Sequence, residues 1–169
     1  MSQKQFPTLA GIFLGIGLGG FFDGIVFLQI LQRHHPVSNV YAPDSLPNIQ
    51  FNTLMDELFH AATYAFVIVG LVIFWNAARK GTLYASWRML IGTVLMGFGL
   101  FNLVEGAVNH HLLQLHHVNE TAPEEQWLLW DIGFLAWGAL MLGGGLYLYV
   151  TAKRAMPSQT QDAETMQTE

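Results

Sequence analysis

Four long apolar runs constrain this 169-residue chain more than any other feature of its sequence. About 20 apolar residues are enough to cross the hydrocarbon core of a bilayer. Charged residues make up only 11% of the chain, against roughly a quarter in soluble domains. The sequence therefore predicts an all-α integral membrane four-helix bundle in a lipid bilayer, as one domain over residues 1–155 with a disordered tail over 156–169. The predicted spans are about 9–31, 52–76, 87–109 and 126–150.

The basic residues fall almost entirely on one side of such a bundle. Arg33 alone lies on the side opposite the termini. By the positive-inside rule, both termini are predicted to be cytoplasmic, and loops 33–51 and 110–125 to be extracytoplasmic. Pro36, Pro43 and Pro47 are expected to keep the first of these loops non-helical. The six basic residues on the terminal side are Lys4, Arg79, Lys80, Arg88, Lys153 and Arg154.

Composition excludes several classes of function. The net charge is -5 with no basic patch, which argues against a nucleic-acid partner. The chain has no cysteine, which excludes disulfides, zinc-thiolate sites and thiol chemistry. Gly11, Gly15 and Gly19 form a stripe of small residues that lets two membrane helices approach closely. This stripe favours packing within the chain, with a homodimer as the alternative. No repeat of 20–50 residues is visible.

A layer of ionisable side chains is predicted in the extracytoplasmic half of the bundle. At about 1.5 Å of rise per residue, Asp23 lies roughly 12 Å below the end of its span, with His60, Glu105 and Asp131 at comparable depth. No lysine or arginine falls at this depth. Because a charge at the centre of a membrane helix costs about 2.5–3.5 kcal/mol on insertion scales, these carboxylates are expected to be protonated or neutralised by a cation. The histidines all fall on this side: His34, His35, His60, His110, His111, His116 and His117.

Helical spacing groups some of these side chains on common faces. Asp56 and His60 are four residues apart, and Asp23 and His34 are eleven apart. A further stripe follows the third helix and reaches His116 if that helix continues beyond the predicted span. Its members within the span are Asn102, Glu105 and Asn109.

A divalent transition metal is the first interpretation of this layer, because carboxylate and imidazole ligands suit Zn²⁺, Fe²⁺, Mn²⁺ or Cu²⁺. The predicted inner ligands are Asp23, His60, Glu105 and Asp131, with Asp56 as a ligand or as an orienting group. The sequence leaves open whether the protein is an enzyme. If it is, a metal-bound water could serve hydrolysis, with Asp56 or Glu105 as base. The wider candidate set adds His34, His35, Asn109, His110 and His116.

Other interpretations remain open at this point. The layer could be a protonated hydrogen-bond network that holds the helices together. It could also bind haem b, with His60 as one axial ligand. A proton or ion pathway through the three carboxylates is a fourth interpretation. The loop histidine pairs could gather a metal or respond to pH.

Three segments resemble one family of small four-span bacterial membrane proteins, catalogued as a domain of unknown function. They are GIFLGIGLGGFFDGIVFLQILQRHH (11–35), DELFHA (56–61) and FNLVEGAVNHHLLQLHHV (101–118). The resemblance implies a bacterial cytoplasmic membrane, and an association with assembly proteins of the respiratory oxidase copper centre, but no reaction. Leu28 departs from the family pattern, which implies a missing polar ligand there. The family's motif falls on Asp23, Gly24, Gln29, His34, His35, Asp56, His60, Glu105, His110, His111, His116, His117 and Asp131.

Overall fold

The computed structural model describes residues 4–156, and these form four helical spans long and apolar enough to cross a membrane. The predicted all-α fold and its four spans are confirmed. The predicted disordered tail lies outside the described residues except for Met156. The spans are Thr8–Ile30, Leu46–Arg79, Trp87–Leu112 and Glu124–Arg154.

Two of the spans change helix type along their length. The first consists of α1 (Thr8–Phe22) followed by a π-helical segment, π1 (Asp23–Ile30). The third consists of α3 (Trp87–Glu105) followed by π2 (Gly106–Leu112). The second span is one helix, α2 (Leu46–Arg79), and the fourth is a short 3₁₀ turn leading into α4 (Trp127–Arg154).

The start of α2 differs from the prediction for loop 33–51. Pro47 was expected to keep this loop non-helical, but α2 begins at Leu46 and Pro47 lies in its first turn. The expectation for Pro47 was wrong because N–H groups in the first turn of a helix have no acceptor within that helix. Proline, which lacks this N–H, therefore fits there without the loss of a hydrogen bond.

The helices pack in a row in the order α2, α1, α3, α4. Within residues 4–156, the backbone of α2 approaches only that of the first span, and the backbones of α2 and α4 do not approach each other. Phe59 of α2 also reaches Phe101 of α3, with 6.0 Å between the ring centroids. In the most apolar windows of the first and third spans, 44% and 39% of residues are buried, against 11% and 17% in the second and fourth. The outer helices therefore present most of their apolar surface to lipid.

The centre of the row is a close contact between α1 and α3, made by the predicted glycine stripe. A Cβ atom at Gly15 would overlap the carbonyl oxygen of Val94, and one at Gly97 would overlap that of Ile12. Gly19 likewise faces Phe98. The stripe is thus used for packing within the chain, as first expected.

The two halves of the chain repeat one helix pair. Residues of the first span correspond to residues 82 positions later in the third, and residues of α2 to residues 75 positions later in α4. A Cβ at Gly17 would lie 2.8 Å from the carbonyl oxygen of Thr63, and one at the equivalent Gly99 would lie 2.5 Å from that of the equivalent Gly138. This repeat spans about half the chain, which is why a search for periods of 20–50 residues does not find it.

Each half also ends its first span in the same way. Gln32 follows π1 with φ +48°, and Gln114 follows π2 with φ +49°. The next backbone N–H, of Arg33 or Leu115, donates to the carbonyl oxygen six residues earlier at 2.8 Å. A left-handed conformation costs a non-glycine residue about 1–3 kcal/mol. Both glutamines turn the chain back, so that the histidine pair that follows lies against the span it has just left.

We predict that Gly15→Ala destabilises the protein and that Gly144→Ala does not. The added methyl group at Gly15 has no space against α3, whereas nothing lies within 4 Å of a Cβ at Gly144. Overpacking of this kind costs about 1–3 kcal/mol or more. Thermal unfolding in detergent, followed by circular dichroism, measures the difference. Equal melting temperatures for the two variants would contradict the packing of α1 against α3.

Candidate metal centre

Three buried side chains converge where π2 and the following loop meet. Oε1 of Glu105 lies 3.1 Å from Nε2 of His110 and 2.9 Å from Nε2 of His116. The two Nε2 atoms are 3.2 Å apart. Each residue is at least 94% buried. In the described part of the chain, this is the one group of three metal-ligating side chains whose donor atoms all lie within 4.8 Å.

The wide turn of π2 explains why Glu105 and His110 meet. Five residues advance about 140° around an α-helix at 3.6 residues per turn, which would separate the two side chains. In a π-helix the backbone bonds join residues five apart, so residues i and i+5 lie one above the other. His116 arrives from the loop after Gln114. His116 meets Glu105 although π2 ends at Leu112, so the condition for a helical stripe that reaches His116 is not met, and a loop brings the two side chains together instead.

The second ring nitrogen of each imidazole faces an acceptor. Nδ1 of His116 donates to the carbonyl oxygen of Pro36 at 3.0 Å, and Nδ1 of His110 faces Oδ1 of Asp131 at 3.6 Å. Since a carbonyl oxygen only accepts, the proton of His116 sits on Nδ1. This leaves Nε2 with a lone pair toward Glu105, unless it also carries a proton. A ring held by its outer nitrogen is typical of a metal-bound histidine.

The equivalent residues of the first half form a looser pair. His34 corresponds to His116, and its Nδ1 donates to the carbonyl oxygen of Val118, which itself corresponds to Pro36. Nε2 of His34 lies 3.9 Å from Oδ2 of Asp23, the counterpart of Glu105. The rings of His34 and His116 stack at 4.5 Å with 7° between their planes. The two half-sites therefore meet at this stacked pair.

Two further carboxylates hold the second histidine of each pair. Oδ2 of Asp56 lies 2.9 Å from Nδ1 of His35, and Oδ2 of Asp131 lies 2.7 Å from Nδ1 of His117. Oδ1 of Asp131 also accepts from the backbone N–H of Val118 at 3.0 Å. The hydrogen bond to Asp56 raises the pKa of His35 above its ordinary value, although partial burial opposes the shift. Asp56 and Asp131 thus anchor the histidine loops to α2 and α4.

The remaining candidates lie around this centre. The His60 ring lies against Gly24, at a place where a Cβ would clash with it, and its Nε2 has no hydrogen-bond partner among the described residues. Nδ2 of Asn109 donates to Oε1 of Glu105 at 3.5 Å. His111 is exposed. Of the four predicted inner ligands, the converged group contains Glu105, while Asp23, His60 and Asp131 lie outside it.

Sequence reasoning treated His110 and His116 as outer candidates because it assumed a regular α-helix ending near residue 109. The internal repeat is a signal that could have identified His116. At a shift of 82 residues, Asp23 corresponds to Glu105 and the pair His34-His35 to the pair His116-His117. The repeat gives no such signal for His110, because its counterpart is Leu28.

An apolar groove on one face of the row ends at this cluster. Its volume is about 340 Å³, and its walls are almost entirely hydrocarbon. Val104 and Leu100 on its rim are 54% and 40% exposed, so the groove opens on the lateral surface of the helices. The residues that line it include Ile16, Phe59, Phe66, Leu100, Phe101, Val104 and Glu105.

The fold and this site define a multi-pass membrane protein with a buried carboxylate–histidine cluster. The chain belongs to the family described as "Predicted membrane protein (DUF2243)", whose model matches residues 10–152. This confirms the family membership predicted from the three segments. The description names no activity. No curated protein and no solved structure matches the chain.

We predict that Asp131→Ala lowers the free energy of unfolding by about 2–4 kcal/mol, because it leaves the buried N–H of Val118 and the ring of His117 without their acceptor. Urea or thermal unfolding in detergent measures this loss. Glu125→Ala is the matched control, since Glu125 is exposed. A loss no larger than that of the control would show that Asp131 does not hold the loop.

Proposed function

We propose that this protein binds a divalent transition metal through Glu105, His110 and His116. The observation that carries the proposal is the convergence of three ligand atoms of different residues, all buried, on one point. Atoms bonded to a metal at about 2.0–2.1 Å lie about 3.0 Å apart in octahedral and about 3.4 Å apart in tetrahedral geometry. The separations of 2.9–3.2 Å match such edges without rearrangement.

Hydrogen bonding alone leaves this cluster incompletely satisfied. Oε2 of Glu105 and Nδ1 of His110 are buried and have no hydrogen-bond partner within residues 4–156. Nδ1 of His116 donates to a carbonyl oxygen and Nε2 faces Glu105, which requires a doubly protonated ring, a protonated Glu105 that donates to Nε2, or a cation between the two. A divalent cation would neutralise the carboxylate and use both Nε2 lone pairs at once.

Two imidazoles and one carboxylate narrow the choice of metal. This ligand set is used by catalytic zinc and by non-haem Fe²⁺, and in both cases it leaves coordination positions open. Mn²⁺ and Cu²⁺ remain the alternatives. A metal with open positions could activate water or bind a further ligand, so a metal-dependent membrane enzyme and a metal-handling protein of the respiratory chain are both consistent with the site.

We predict that detergent-purified protein contains at least about one metal ion per chain, and that Glu105→Gln, His110→Ala and His116→Ala each remove it. Glu105→Gln keeps the size of the side chain but weakens a charged ligand. Elemental analysis by mass spectrometry measures the content. His111→Ala is the matched control, because His111 is exposed and adjacent to His110.

The outcomes separate the candidate functions. A folded, metal-free wild-type protein that also fails to take up added Zn²⁺ or Fe²⁺ would leave a protonated polar network as the role of the cluster. A strong Soret band would instead favour haem b. The association with oxidase assembly proteins and the extracytoplasmic position of the loops stay predictions beside this proposal. A homodimer also stays a prediction, but it would need another face, because α3 occupies the glycine stripe.

A further inference from the structure

The internal repeat places a second candidate ligand pair beside the first site. Under the shift of 82 residues, Asp23 corresponds to Glu105 and His34 to His116. Their surroundings correspond as well, since each imidazole donates from Nδ1 to a loop carbonyl of the other half at 3.0 Å. The two halves therefore build the same half-site twice, around the stacked rings of His34 and His116.

The first half-site holds a buried imidazole nitrogen and a buried carboxylate with no positive group between them. His34 is 4% exposed, and its Nε2 has no hydrogen-bond partner in the described part of the chain. Because Nδ1 carries the proton that it donates to a carbonyl oxygen, Nε2 of the neutral ring carries a lone pair. No hydrogen-bond donor among the described residues reaches this lone pair. It faces Oδ2 of Asp23 across 3.9 Å, and Asp23 is itself 5% exposed.

The length of this gap follows from the residue type. Aspartate is one methylene shorter than glutamate, so the first half leaves 3.9 Å where the second leaves 2.9 Å. Two metal–ligand bonds of about 2.1 Å span up to about 4.2 Å. One cation can therefore bridge both atoms, and a closure of about 0.5 Å would bring the pair to a tetrahedral edge of about 3.4 Å.

We propose that Asp23 and His34 bind a second divalent transition metal, so that the protein carries a two-metal centre with one metal in each half of its internal repeat. This inference rests on the proposed function of the Glu105, His110 and His116 site. The second site has fewer ligands, because Leu28, 1% exposed, takes the place of His110. The second metal is consequently bound more weakly and exchanges first.

Titration of Zn²⁺ into metal-free, full-length protein in detergent, followed by calorimetry, tests the inference. The expected wild-type result is two ions per chain with different affinities. Asp23→Asn and His34→Ala remove the weaker ion only, and Glu105→Gln removes the tighter ion only. Leu28→His supplies the missing third ligand and tightens the weaker site by about tenfold or more. Leu28→Met is its control, since it keeps an apolar side chain of similar size.

The possible failures are distinguishable. One ion per chain that is lost in Glu105→Gln and retained in Asp23→Asn would overturn the second site and leave the proposed function intact. Loss of all binding in Asp23→Asn would mean a single joint centre and would also overturn it. No binding in the wild type would remove both. If Leu28→His does not fold, the stoichiometry of Asp23→Asn against wild type still decides.

Discussion

Buried carboxylates without a basic side chain are the constraint on which the rest of this structure depends. Within the described residues, every salt bridge pairs a carboxylate with a histidine. An ionised carboxylate removed from water needs a positive partner or several hydrogen bonds. Loops that turn back at Gln32 and Gln114 supply two histidine pairs, and π2 sets the angle at which its own His110 meets Glu105. The backbone irregularities therefore lie where the charges must be balanced.

The sequence predicted the spans and the layer of polar groups, because length and hydropathy determine where a chain crosses a bilayer. It also predicted that the glycine stripe around Gly15 packs within the chain. It could not predict which histidines meet Glu105. That choice depends on the change from α- to π-helix after Glu105 and on the left-handed conformation of Gln114. A pattern read with 3.6 residues per turn predicts neither of these backbone features. Asp131 shows the same limit, since its depth was predicted but its partners on the loop were not.

The duplicated helix pair gives the two halves similar backbones and different chemistry. The glycine contacts at Gly17 and Gly99 correspond closely, whereas the polar positions have diverged. His110 in the second half corresponds to Leu28 in the first, and His60 in the first half corresponds to Leu135 in the second. The repeat thus supplies two similar frames, and side-chain replacement makes one of them a more complete set of ligands than the other.

A row that is one helix thick has a consequence for exchange kinetics. The apolar groove that ends at Glu105 brings hydrocarbon, rather than solvent, to one side of the cluster. On that side an ion would have to break its bonds before water molecules could replace the ligands, and a bare divalent ion is very costly in a low-dielectric medium. Its residence time would then be set by how often the histidine loops open, more than by the strength of the individual bonds.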